Sequence, residues 1–152
     1  MQVSIVEFEE RHGEAFRTLN EAWISKHFVI EPKDRETIED PKGHILAKGG
    51  RIFMAEAAGR AIGCVALIPM ADGGYEVAKM TVDETVRGVG LGRRLLQRCV
   101  DEGRRLGAHR LYLETNSSLA AARGLYLTMG FEDLPPAPTP YVRCDTWMEL
   151  RL

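Results

Sequence analysis

Hydrophobic and polar positions along this 152-residue chain switch between a period of two and a period of about 3.6, and the switches mark out its elements. Val3 to Phe8 alternates and predicts a strand, while Gly13 to Lys26 sets Phe16, Leu19, Trp23 and Ile24 at helical intervals. Pro32 to Asp40 predicts a short second helix with Asp34 near its start and Pro41 closing it, and Lys48-Gly49-Gly50 reads as a turn. Three apolar or alternating runs follow, Arg51 to Ala57, Ala61 to Pro69 and Tyr75 to Val82, separated by the turn signals Gly59-Arg60 and Asp72-Gly73-Gly74. Such spacing predicts an antiparallel meander of three strands.

The next segment, RGVGLG from Arg87 to Gly92, places three glycines within five residues and leads into a helix whose apolar face is Leu91, Leu95, Leu96, Cys99, Val100 and Leu106. Arg94, Arg98, Asp101, Glu102, Arg104 and Arg105 read mostly as its solvent face, and Gly107 ends it. His109 to Thr115 predicts a strand. Strand, helix, strand in that order requires a right-handed crossover, with the two strands parallel. Ser117 or Ser118 is placed to cap a further helix containing Leu119, Ala122, Leu125, Tyr126 and Met129, which Gly130 ends. Four prolines, Pro135, Pro136, Pro138 and Pro140, crowd one loop before Tyr141 to Leu150 alternates as a last strand. With no repeat and no linker, residues 1–152 read as a single domain.

Charge and cysteine usage narrow the function classes. The chain carries 20 basic and 22 acidic residues spread along its length, a net charge of −2, so nothing draws it to nucleic acid or to an anionic membrane. Its start has neither a basic nor an apolar leader region, and no apolar run is long enough to span a bilayer; a cytoplasmic protein is expected. Cys64, Cys99 and Cys144 are widely spaced and read as reduced packing thiols, and His12, His27, His44 and His109 offer no ligand spacing, so no metal is expected.

The glycine turn carries the chemistry. Glycines let a backbone approach a ligand closely, and the first turn of a helix presents unpaired N–H groups and a partial positive charge, which together suit a phosphate. A nucleotide P-loop would need GxxxxGK followed by Ser or Thr, which is absent. A dinucleotide fingerprint GxGxxG begun at Gly88 ends on Arg93 instead of glycine, although Glu114 stands at a suitable distance for a ribose. The meander ahead of the turn also disagrees with an all-parallel dinucleotide fold.

Arg87-x-x-Gly90-x-Gly92 directly after YEVAKMTV, followed by LYLETN at 111–116 and GLYLTMGF at 124–131, resembles the GNAT superfamily of acyl-CoA-dependent N-acetyltransferases. The resemblance runs from about Arg51 to Leu150. It implies an α/β (α+β) fold: a mixed, mostly antiparallel sheet of about seven strands with helices on both faces, splayed between the parallel fourth and fifth strands. It implies acetyl-CoA as co-substrate, the backbone of Met80 and Val82 pairing with the pantetheine arm, and the amides of Gly88, Val89, Gly90, Leu91, Gly92 and Arg93 holding the pyrophosphate, with charge added by Arg87 and Arg93. Asn116 matches a position that contacts the cofactor arm, or else it caps the next helix. Tyr126 matches the general acid that protonates the departing thiolate.

Glu76 is the candidate base, since an acceptor amine arrives as ammonium and must lose a proton. Strict alternation puts it on one face with Ala78, Met80 and Val82. The acceptor side implied by the resemblance gathers Asn20, Trp23, Phe28, Asp34, Arg35, Tyr141, Arg143 and Asp145, in which an arginine could pair with an acceptor carboxylate. The region reads as not strongly acidic. The expected function is transfer of an acetyl group to a primary amine of a small molecule by direct attack in a ternary complex; the alternative is a non-catalytic acyl-CoA-sensing module. Exposed sheet edges are where a homodimer would pair.

Overall fold

The computed structural model describes residues 2–86 and 89–152. Seven strands form one sheet in the order β1-β2-β3-β4-β5-β7-β6. β2 (Arg51–Ala57), β3 (Arg60–Pro69) and β4 (Tyr75–Val82) run antiparallel, as the turn spacing predicts, and β1 (Ser4–Glu7) joins them antiparallel to β2. Helix α4 (Leu91–Arg105) carries the chain back to β5 (Arg110–Thr115), which lies parallel to β4; β7 (Thr146–Arg151) and β6 (Glu132–Leu134) complete the sheet. No helix among the described residues is long and apolar enough to cross a membrane.

Two apolar layers sandwich the sheet. On one face the predicted stripe of α4, Leu91, Leu95, Leu96, Cys99 and Val100, packs with Phe53, Val65, Leu67, Val77, Leu113 and with Tyr126 of α5 (Ala120–Thr128). On the other, Phe16 of α1 (Gly13–His27) and Ile38 of α2 (Pro32–Glu39) pack over Ile52, Met54, Cys64 and Ala66. Helices therefore cover both faces. Burying each large aliphatic side chain contributes about 1.5–3 kcal/mol.

Several local expectations change in the fold. Pro41 does close α2, but it also opens a one-turn helix, α3 (Pro41–His44), because its fixed φ suits a first helical position and Asp40 accepts the Gly43 N–H at 3.1 Å. α5 is capped by neither serine: its N-cap is Leu119, while Ser117 is held by Asp145 and Ser118 donates its N–H to Asn116 Oδ1. β7 begins at Thr146, not Tyr141, so residues 141–145 form a loop over the sheet. β6 has only three residues, too few to show a period. Glu102, on the expected solvent face of α4, is buried and held near pKa 2 by Arg105 and Arg98, overcoming its burial.

The change with most consequence lies in β4. Between Cys64 and Ala66 of β3 the partner register jumps from Thr81 to Ala78, so β4 carries one extra residue, and Lys79 adopts φ +54°. Alternation slips at that point. Val77, Met80 and Val82 face α4, whereas Glu76, Ala78 and Thr81 face α1 and α2, so Glu76 does not share a face with Met80 and Val82. Pairing of β4 with β5 is confined to Tyr75–Leu111 and Glu76–Tyr112, beyond which the strands splay.

A buried carboxylate ties this bulge to its surroundings. Asp34, the third residue of α2 and fully enclosed, accepts Lys79 Nζ at 2.6 Å, both Arg143 guanidinium nitrogens at 2.7 Å and the Glu31 N–H at 2.9 Å. Burial favours the neutral acid, but Arg143 and Lys79 outweigh it and hold the pKa at about 2, below an ordinary 3.8. The carboxylate thus stabilises the fold above the unfolded pKa, and that contribution is lost as pH falls through the folded one. Asp34→Asn is expected to destabilise by about 3–5 kcal/mol at neutral pH, because two enclosed cations lose their counter-charge. In urea unfolding, the gap between variant and wild type should narrow as pH drops from about 4 toward about 2.

Candidate active site

At the α4 end of the splay, Gly90 takes φ +63° as the N-cap, a left-handed conformation that glycine reaches without steric penalty. The first intrahelical acceptor is Gly90 O, bonded by Arg94 N at 3.1 Å, which leaves the amides of Leu91, Gly92 and Arg93 without helical partners. Val89 is part of the exposed approach to this terminus. Arg87 and Gly88, the other expected phosphate contacts, lie outside the described residues. Arg93 directs a guanidinium N–H to Met129 Sδ, Arg94 bonds Val3 O at 3.0 Å, and Arg98 pairs with Glu102 over the Phe53 ring. All three are engaged with the protein surface.

From the α4 terminus a cavity of about 640 Å³ runs between β4 and β5 to the α1 side, with Gly92 and Tyr126 at one end and Trp23, Phe28, Tyr141 and Arg143 at the other. Met80 and Val82 line it. Because β5 leaves β4 after Glu76, the β5-side edge of this stretch is open among the described residues, and it can pair with an extended ligand as an added strand would. Tyr126 is 8% exposed, tilted against Phe131, and its hydroxyl has no hydrogen-bond partner among the described residues. Burial raises its pKa to about 12, so the phenol carries its proton throughout the neutral range. Asn116 also lines the cavity, but its amide is engaged: Nδ2 donates to Arg143 O at 2.7 Å and Oδ1 accepts from Ser118.

The α1 side is divided electrostatically. Its two cations, Lys79 and Arg143, are both spent on Asp34; Lys79 also bonds Tyr141 Oη at 3.1 Å, and Arg143 stacks over the Tyr141 ring. Arg143 therefore does not stand ready for an acceptor carboxylate. Four carboxylates line the cavity: Asp83, which accepts from Thr85, and Glu84, which pairs with Lys26 and His27, follow β4, while Glu76 and Glu114 stand on β4 and β5 beside the splay. Glu114 receives hydroxyl protons from Tyr112 at 2.7 Å and Thr139 at 2.6 Å, while Glu76 has no hydrogen bond or ion pair among the described residues. Burial, then the charge of Glu114, pushes Glu76 up to about 7.

Asn20, Trp23, Phe28, Tyr141 and Arg143 all line the cavity as expected, with Asp34 behind them, but Arg35 pairs with Glu21 and Glu39 on the surface and Asp145 binds Ser117. Lys79, Tyr112 and Thr139 were not foreseen. The bulge brings in Lys79 and the proline-rich loop Thr139, and neither leaves a periodic signal, whereas Tyr112 lies on the predicted strand β5, two residues from Glu114. Among the described residues no three His, Cys, Asp or Glu side chains converge as a metal site.

The model of the Acetyltransferase (GNAT) family matches residues 11–131. An IAA acetyltransferase of Azospirillum brasilense is 42% identical over 87 residues, 57% of each chain, so the match spans little more than half of that relative. YjgM, an uncharacterized N-acetyltransferase of Escherichia coli, is 30% identical over 82% of this chain and 81% of its own. The solved structure of YncA from Salmonella typhimurium with its cofactor acetyl-CoA superposes with a TM-score of 0.79 at 21% identity, covering 98% of this chain and 93% of that one. A match of this extent and order leaves one assignment: the chain belongs to the GNAT family of acetyltransferases.

Proposed function

We propose that residues 1–152 act as one N-acetyltransferase domain that moves an acetyl group from acetyl-CoA to the primary amine of a small molecule by direct attack in a ternary complex. The observation that carries this reading is the single cavity joining unpaired helix amides at Leu91 to Arg93, a buried protonated phenol at Tyr126 and a desolvated carboxylate at Glu76. The acetyl-CoA bound by YncA, a structural neighbour, supports it.

The residues present fit this co-substrate. Amides at the α4 terminus suit a pyrophosphate, and the open edge of β4 at Met80 and Val82 suits an amide-bearing arm. Acetyl-CoA supplies a thioester open to attack by an amine. Glu76 takes one proton from the acceptor ammonium, a backbone amide of β4 donates to the oxygen that becomes negative, and Tyr126 gives its proton to the sulfur as the C–N bond forms and the C–S bond breaks; the second proton lost by the nitrogen restores the phenol, leaving amide, free thiol and the one proton held on Glu76. A pKa near 7 leaves Glu76 able both to accept that proton and to release it again to solvent. A module that only sensed acyl-CoA would need the helix amides and no uncompensated carboxylate.

Acetyl-CoA and coenzyme A, but not NADH, should raise the melting temperature. No shift with either coenzyme A species would defeat the assignment of the α4 terminus. Tyr126→Phe should lower kcat by about ten- to a thousandfold while retaining the coenzyme A thermal shift; unchanged turnover would remove the phenol from the mechanism. For the wild type, kcat/KM should rise with pH and level off above about 7, and Glu76→Gln should lose that rising limb. The same raised pKa means that protonation of Glu76 stabilises the fold, fully below an ordinary 4.5 and decreasingly as pH climbs through about 7. Glu76→Gln should therefore melt higher than wild type at pH 8 and converge with it in acid, a comparison that needs no substrate.

A further inference from the structure

On the α1 side of the cavity, hydrogen-bond acceptors outnumber the donors left to meet them. Glu76 is without a partner among the described residues, and the oxygens of Glu114 are met only by the neutral hydroxyls of Tyr112 and Thr139. Asn20 supplies a third, independent acceptor. It is 0% exposed and lines the same cavity; its Nδ2 bonds Phe16 O and Cys64 Sγ, and its Oδ1 has no partner among the described residues. A buried acceptor left unpaired costs about 1–3 kcal/mol; Asn20 Oδ1 has no accessible surface, so the acceptor that a ligand bringing N–H donors and positive charge relieves is Glu76, which faces the cavity without a partner among the described residues.

The charges that could welcome an acid are committed elsewhere. Lys79 and Arg143 are both closed onto Asp34, and Glu31 adds a second carboxylate 3.5 Å from Arg143. Lys33 of α2 is the remaining cation with an influence on Glu76, and it is paired with Glu36. A ligand carboxylate entering here would have to compete with the enclosed Asp34 and sit beside Glu76 and Glu114. Around the carboxylates stand Trp23, Phe28 and Tyr141, an aromatic wall suited to a hydrocarbon body and to the face of a cation.

We infer that the acceptor is a cationic amine with an apolar or aromatic body and no carboxylate, and that Glu114 is the specificity-determining residue that excludes the amino acid of the same side chain. The inference rests on the acetyl-transfer reading and names its substrate class. With Glu76 relaying the proton, Glu114 stands beside it as a second carboxylate accepting only from neutral hydroxyls, so the ammonium meets two carboxylates on its way to the thioester.

Phenethylamine and phenylalanine differ only by the carboxylate and make the test. With acetyl-CoA and thiol release as readout, phenethylamine should show at least about tenfold higher kcat/KM than phenylalanine. Glu114→Gln should raise KM for phenethylamine about tenfold, bring the two acceptors together, and move the rising limb of the pH profile below about 7, a shift that a purely structural role for Glu114 would not produce. Equal use of the two acceptors by the wild type, a preference for phenylalanine, or a Glu114→Gln ratio and pH limb that stay in place would each overturn the inference. Thermal shifts with each compound in the presence of coenzyme A separate the two levels of the argument. Selective stabilisation by phenethylamine without thiol release would sustain the recognition site and sink acetyl transfer, and stabilisation by neither compound would sink the recognition site.

Discussion

The arrangement of the α1 side depends on one fully enclosed carboxylate. Asp34 sits in the first turn of α2, where its own capping geometry and the Glu31 N–H fix its direction, and from there it gathers a lysine from β4 and an arginine from the loop before β7. Three segments far apart in sequence converge on two oxygens. Removing a carboxylate from water is unfavourable by several kcal/mol, and four donors, three of them on the two cations Lys79 and Arg143, are what make this placement tolerable. Lys79 is the residue with positive φ in the β4 bulge, so the ion pair also holds the backbone irregularity that opens the sheet.

That irregularity gives β4 two functions at once. Ahead of the bulge, Glu76 faces α1 and α2; after it, Met80 and Val82 turn toward α4, and the strand edge beside β5 is left open. A regular strand would have placed all three on one face. The extra residue instead divides the cavity, with one end against α4 and α5 and the other against α1 and the loop of residues 141–145. Tyr126 and Glu76 lie along it, each shifted upward chiefly by burial, Tyr126 to about 12 and Glu76 to about 7.

Much of the fold was legible in the chain, because burial on one face imposes a period and turns impose glycine and proline. The meander, the stripe of α4 and the parallel return to β5 follow from these local rules. The α4 amides were legible too, since a glycine-opened helix terminus is a backbone feature that needs no distant partner. What escaped had little local signature. β6 is three residues long, the segment 141–145 looks like strand by alternation, and Glu102 reads as a surface charge until three arginines from α4 and β2 surround it. Glu114 stood out in sequence only as a ribose partner for a dinucleotide that does not fit; next to Glu76 across the splay it acquires a different chemistry.

The sequence by itself determined the three-strand meander, the apolar stripe of α4 and the phosphate-suited helix terminus, because each arises from neighbours within a few turns of chain. The tertiary structure alone decided the acceptor side. Whether Arg143 is free or bound, whether Glu76 is solvated or desolvated, and which face it takes all depend on charges and a bulge brought together from α2, β4, β5 and the loop before β7. Electrostatic energies follow distance and burial in space, and neither can be counted along a chain.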